Sequence, residues 1–68
     1  MNSIILSETF VEVLAPGQIR AHMSTGEVYG PMEVTHRDMA TLYVNLDEED
    51  LVDLVEFLED HGMLADWN

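Results

Sequence analysis

Apolar and polar residues alternate in short blocks up to about residue 46, and the period then changes. Thr9-Phe10-Val11-Glu12-Val13-Leu14 is β-branched and aromatic, and Ala15-Pro16-Gly17 closes it with a turn signal. Gln18 to Met23 runs into a second turn, Ser24-Thr25-Gly26. With Thr25-Gly26 as a two-residue hairpin loop, Met23 faces Val28, Ala21 faces Gly30 and Ile19 faces Met32. That register gathers Ile19, Ala21, Met23, Val28, Met32 and Val34 on one buried face. A three-residue loop would set Glu27 among the apolar residues, which favours the shorter one. Pro31 marks its strand as an edge or an interruption. After His36-Arg37-Asp38, the positions Ala40, Leu42, Val44 and Leu46 alternate with Thr41, Tyr43 and Asn45, as in a half-buried strand. Strands are therefore predicted over about 4–14, 18–23, 27–34 and 40–46.

Beyond residue 46 the period becomes helical. Asp47 fits an N-cap with Asp50 in a box-like position three residues later, and Leu46 and Leu51 can form a hydrophobic staple. Gly62 fits the left-handed position that ends a helix, and His61 is placed to cap its last carbonyls. Leu51, Leu54, Val55 and Leu58 share one stripe, whereas Glu49, Asp53, Glu56 and Asp60 share the opposite one with Glu48 and Glu59 beside it. A helix over about 47–61 and a short C-terminal tail follow. The expected fold is one small α+β domain: an antiparallel sheet of three to four strands with one C-terminal amphipathic helix packed on one face.

Composition sharpens this picture through charge. The chain has 68 residues, 14 acids, two arginines, no lysine and a net charge of −12. Residues 1–46 hold five acids against Arg20 and Arg37, while residues 47–68 hold nine acids and no base. Direct binding to nucleic acid or to an anionic membrane needs clustered cations and is not expected. No apolar run approaches the ~18 residues of a membrane span, and the first six residues lack the basic start of a secretory signal. A soluble, cytoplasmic protein is expected. With no cysteine there is neither a disulfide nor a thiolate.

The acids of the first helical turn, Asp47 to Asp50, complement the helix dipole. Those that follow oppose stability. Glu49/Asp53, Asp53/Glu56, Glu56/Asp60 and Glu56/Glu59 are like-charge neighbours three or four apart, each costing a few tenths of a kcal/mol. Residues 47–60 span about 21 Å at ~1.5 Å per residue. Their eight carboxylates give one charge per ~2.6 Å, against one per ~1.7 Å for duplex DNA and ~3.4 Å for a single strand. In size and line density of charge the chain resembles the small acidic inhibitors of phages and mobile elements, which imitate DNA to block nucleases, repair enzymes or CRISPR complexes. The resemblance is to a class, carried by charge and size and by no motif. It implies a basic protein surface as partner, belonging to a nucleic-acid-binding protein. Glu49, Asp53, Glu56, Glu59 and Asp60 would supply the charge and Phe57 an apolar anchor, with Val52 buried at the stripe border.

Other chemistry finds little support. Asp47-Glu48-Glu49-Asp50 lacks the alternating oxygens and the glycine of a calcium loop, and His22, His36 and His61 have no metal-ligand spacing. His36-Arg37-Asp38 matches a kinase tripeptide without room for that fold. No phosphate loop or nucleophile elbow occurs. No catalytic, cofactor-binding or metal residues are assigned, and an enzyme is not expected. Adaptation to high salt is one other account of the acidity. A different reading leaves the acidic helix merely solvated and makes the chain an assembly module. It would then homodimerise through an outer sheet face bearing Thr9, Val11, Val13, His22, Tyr29 and Tyr43, or cover that face with its tail up to Trp67. Met23, Met32, Met39 and Met63 read as core filler.

Overall fold

A computed structural model describes residues 2–64. Four strands, β1 (Ser3–Ile5), β2 (Thr9–Ala15), β3 (Gln18–Met23) and β4 (Val28–Glu33), form an antiparallel meander in the order β1-β2-β3-β4. Two helices follow, α1 (His36–Tyr43) and α2 (Glu48–Asp60). The core joins inward residues of the sheet, Val11, Ile19, Ala21 and Val34, to Met39 and Leu42 of α1 and Leu54 and Leu58 of α2. Both helices thus bury their apolar stripes on one face of the sheet, and the fold is α+β with one helix more than the sequence pattern predicts. Tail residues Met63 and Leu64 also lie against this core, while Trp67 lies outside the described residues.

The segment expected as a strand over 40–46 is helical. Thr35 is the N-cap, and its Oγ1 accepts a hydrogen bond from the Asp38 backbone N–H at 3.1 Å. Met39 and Leu42, three apart, are both fully buried, and Tyr43 packs beside them with its hydroxyl 3.5 Å from the Met39 sulfur. The alternation of Ala40, Leu42, Val44 and Leu46 competes with a helical spacing of Met39, Leu42 and Tyr43, and the cap favours the second. Val44, which a strand would bury, is 82% exposed.

The expected strand over 4–14 is a hairpin, β1 and β2 joined through Leu6-Ser7-Glu8, with the Leu6 N–H donating to the Thr9 carbonyl at 2.7 Å. This turn contains no glycine, proline or asparagine to announce it. The β3–β4 connection is also longer than expected. The Met23 N–H donates to the Glu27 carbonyl at 2.8 Å, leaving Ser24-Thr25-Gly26 as a three-residue loop. His22 consequently pairs with Val28 and Ala21 with Tyr29, so Tyr29 turns inward and Val28 outward. A register shift between Ile19 and Ala21 then restores the predicted Ile19–Met32 pair. Gly30 makes this possible: its φ is +121°, and a Cβ there would lie 2.9 Å from the Ile19 carbonyl oxygen.

Candidate protein-binding surface

Helix α2 is fixed at both ends by features that also orient its acids. Asp47 occupies the N-cap position with extended backbone, but its side chain makes no capping hydrogen bond. Asp50 does not close a capping box. It is 8% exposed and turns toward the sheet, where the Ser7 hydroxyl donates to Oδ1 at 2.8 Å and lies 2.9 Å from Oδ2. The Ser7 backbone N–H adds a longer contact of 3.5 Å. Asp50 therefore ties α2 to the β1–β2 turn. At the other end, the Gly62 N–H donates to the Glu59 carbonyl and the Met63 N–H to the Leu58 carbonyl, with Gly62 at φ +66°. This is the Schellman arrangement that Gly62 predicts. The His61 Nδ1–H donates to the Phe57 carbonyl at 2.8 Å, so the ring satisfies a terminal acceptor as expected.

With Asp50 turned inward, seven acids of this segment remain, Asp47, Glu48, Glu49, Asp53, Glu56, Glu59 and Asp60, and all are exposed. Over the same ~21 Å that is one carboxylate per ~3 Å, still between duplex and single-stranded DNA. Among the described residues the ion pairs are Glu12 with Arg20 and Glu12 with His22, both on the sheet. None of the seven carboxylates is salt-bridged to a described residue.

The apolar residues on this helix are placed differently from expectation. Phe57 is half-buried, packs against the core and meets the His61 ring at a centroid distance of 4.4 Å. Val52, expected under the stripe border, is 50% exposed and shares a shallow depression with Glu48, Glu49 and Asp53. Helical arithmetic could have shown this, because Val52 lies four residues from both Glu48 and Glu56 and so projects between them.

The acidic surface continues past the start of α2. A cleft of about 150 Å³ at the end of the sheet is lined by Glu8 and Glu27 as well as Asp47 and Asp50. Tyr29 reaches it, its hydroxyl donating to Glu27 Oε2 at 3.1 Å, while the Thr25 hydroxyl donates to Oε1 at 3.3 Å. Desolvation, and then this bond to Glu27, hold the Tyr29 phenol above its ordinary pKa. Glu8 and Glu27 belong to different turns and only the folded sheet brings them to the helix. No cluster of three or more His, Asp or Glu side chains among the described residues could hold a metal ion. Nor is any helix among them long and apolar enough to cross a membrane. The helix carboxylates stand on a convex surface, where they can attract cations over roughly a Debye length but are not walled off from water. No protein-family model matches the chain, and neither a curated protein nor a solved structure shows detectable similarity to it.

Proposed function

We propose that this is a non-enzymatic acidic binding protein whose α2 face occupies a basic, nucleic-acid-binding surface of another protein. In this reading it acts as an inhibitor of the phage or mobile-element type, directed at a host defence or nucleic-acid-processing protein such as a restriction or CRISPR complex. One observation carries the proposal: seven exposed carboxylates stand at phosphate-like spacing on one helix, with no salt-bridge partner among the described residues. A helix that only covers a sheet gains from alternating Glu and Lys, and this one accepts repulsion along its length instead. Glu49, Asp53, Glu56, Glu59 and Asp60 form the contact, Glu8 and Glu27 extend it, and Val52 joins Phe57 as an apolar contact within the acidic rim. Such a rod is drawn to a groove built for a phosphate backbone, and the attraction weakens as salt screens it.

The test is capture of basic proteins from a host lysate at low salt by the wild-type chain and by a variant carrying Asp53→Lys, Glu56→Lys and Asp60→Lys. Nucleic-acid-binding proteins should be retained by the wild type, released by a salt step and displaced by duplex DNA or guide RNA. Retention of the same proteins by the charge-reversed variant would refute the proposal.

A further inference from the structure

Six large apolar side chains are exposed among the described residues, and three of them, Ile5, Phe10 and Val28, belong to the sheet face opposite the helices. Direct cross-strand pairing sets Ile5 beside Phe10, Phe10 beside His22 and His22 beside Val28, one row across all four strands. At ~4.8 Å per strand the row is about 14 Å long. Ile5 is 79% and Val28 51% exposed, and the Phe10 and His22 rings lie 5.6 Å apart. The adjacent row pairs Glu12 with Arg20, whose Nη1 lies 3.4 Å from Glu12 Oε1, and His22 of the first row brings its Nε2 to 2.8 Å from the same oxygen. This face differs from the outer face the sequence suggested, since Thr9 and Val11 are buried, Val13 and Tyr29 pack on the core and Tyr43 belongs to α1. Of the residues expected there, His22 alone lies on it.

We infer that this outer sheet face binds a second copy of the chain, giving a weak two-fold symmetric dimer. In such a contact a patch meets itself, so it must be neutral or carry both signs. Here the face carries both signs beside its apolar row, Glu12 and Glu33 against Arg20, with His22 next to Glu12, while the acids of α2 lie on the far side of the sheet. Two sheets stacked ~10 Å apart, each with a helix layer ~10 Å behind it, hold the two α2 helices roughly 30 Å from one another. That is several Debye lengths at physiological salt, so two strongly acidic chains can meet here with little repulsion. Strands of three, seven, six and six residues, at ~3.3 Å per residue and ~4.8 Å per strand, give a face of about 350 Å², or about 700 Å² of flat footprint for two copies. This lies below the about 1,200 Å² at which stable interfaces begin, in the range of weak, transient contacts, so the dimer is reversible and concentration-dependent. The inference does not depend on the proposed function, because both α2 faces remain free on the outside of the dimer.

Sedimentation equilibrium on the full chain tests it. The wild type should move from 7.7 kDa toward twice that mass as concentration rises through the micromolar range, and added salt should preserve or favour the dimer. Ile5→Glu and Val28→Glu should each give monomers of unchanged helical circular dichroism. Val44→Glu, at a position as exposed as Ile5 but at the C-cap of α1, should leave the dimer intact. A wild type that stays monomeric throughout would overturn the inference, whether a foreign protein or residues 65–68 cover the face instead. So would dimers that survive both sheet substitutions, or that dissociate as salt is added.

Discussion

Asp50 and Asp53 lie one turn apart on the same helix, yet their replacement by alanine should have opposite consequences. Asp50 accepts from the Ser7 hydroxyl at 2.8 Å and sits in the first turn of α2, whereas Asp53 is exposed and has Glu49 and Glu56 as like-charged neighbours. A hydrogen bond to a charged group contributes about 1.5–3 kcal/mol. Favourable placement at a helix N-terminus adds about 0.3–1 kcal/mol. Asp50→Ala should therefore destabilise by about 2–4 kcal/mol. Asp53→Ala removes two repulsive neighbours of a few tenths of a kcal/mol each and should be neutral or slightly stabilising. Both substitutions lower the net charge equally, so general self-repulsion cancels in the comparison. A domain of this size has a total stability of about 3–10 kcal/mol at 0.05–0.15 kcal/mol per residue. One kcal/mol moves its melting temperature by about 4–8 °C. Thermal melts should thus separate the two variants by at least about 8 °C, with Ser7→Ala falling between them and adding little to Asp50→Ala. Equal melting temperatures for the two aspartate variants would refute the assignment of Asp50 to structure.

Leu54 is fully buried where α2 meets the sheet, so Leu54→Ala should cost about 2–5 kcal/mol in urea denaturation. In so small a domain that leaves a substantial unfolded population, while Val52→Ala should change little. The Glu12 carboxyl is held below its ordinary 4.5, first by the hydrogen bond from His22 and then by the charges of His22 and Arg20 against a desolvation that opposes them. Its contribution to stability is present above the unfolded value and lost as pH falls through the lowered one. A carbon-13 titration of Glu12 should show that low midpoint, and His22→Ala should raise it; an unchanged midpoint would contradict the assignment. Asp53→Lys with Asp60→Lys turns the Glu49/Asp53, Asp53/Glu56 and Glu56/Asp60 repulsions into attractions. It also places a cation in the last turn, so this pair should raise the melting temperature.

The legible parts of the fold were those with strong local grammar. Gly62 announced the end of α2, Pro16-Gly17 the β2–β3 turn, and Leu54 and Leu58 the buried stripe. The acidic face of α2 was legible for the same reason, since helical spacing alone separates it from the leucines. What was missed lay where two periods fit one segment or where a turn lacks its usual residues. Residues 40–46 alternate like a strand, and only Thr35 capping the Asp38 N–H with Met39 and Leu42 three apart reveals the helix. The Ser7-Glu8 turn has no glycine, proline or asparagine, and the Ser7 hydroxyl is bonded to Asp50, 43 positions away. The three-residue loop after Met23 inverted Tyr29 and Val28, and the shift at Gly30 restored the register before Met32. Glu8 and Glu27 join the acidic surface only through tertiary structure, a level at which sequence spacing says nothing.

The central claim is that the charge of α2 serves binding at the expense of stability. It is tested most directly by displacement of labelled duplex DNA from a captured basic partner, comparing the wild type with the Asp53→Lys, Asp60→Lys pair. The wild type should displace the DNA, less effectively as salt rises, while the pair should fail to do so although it melts no lower. Equal displacement by the two proteins would contradict the account.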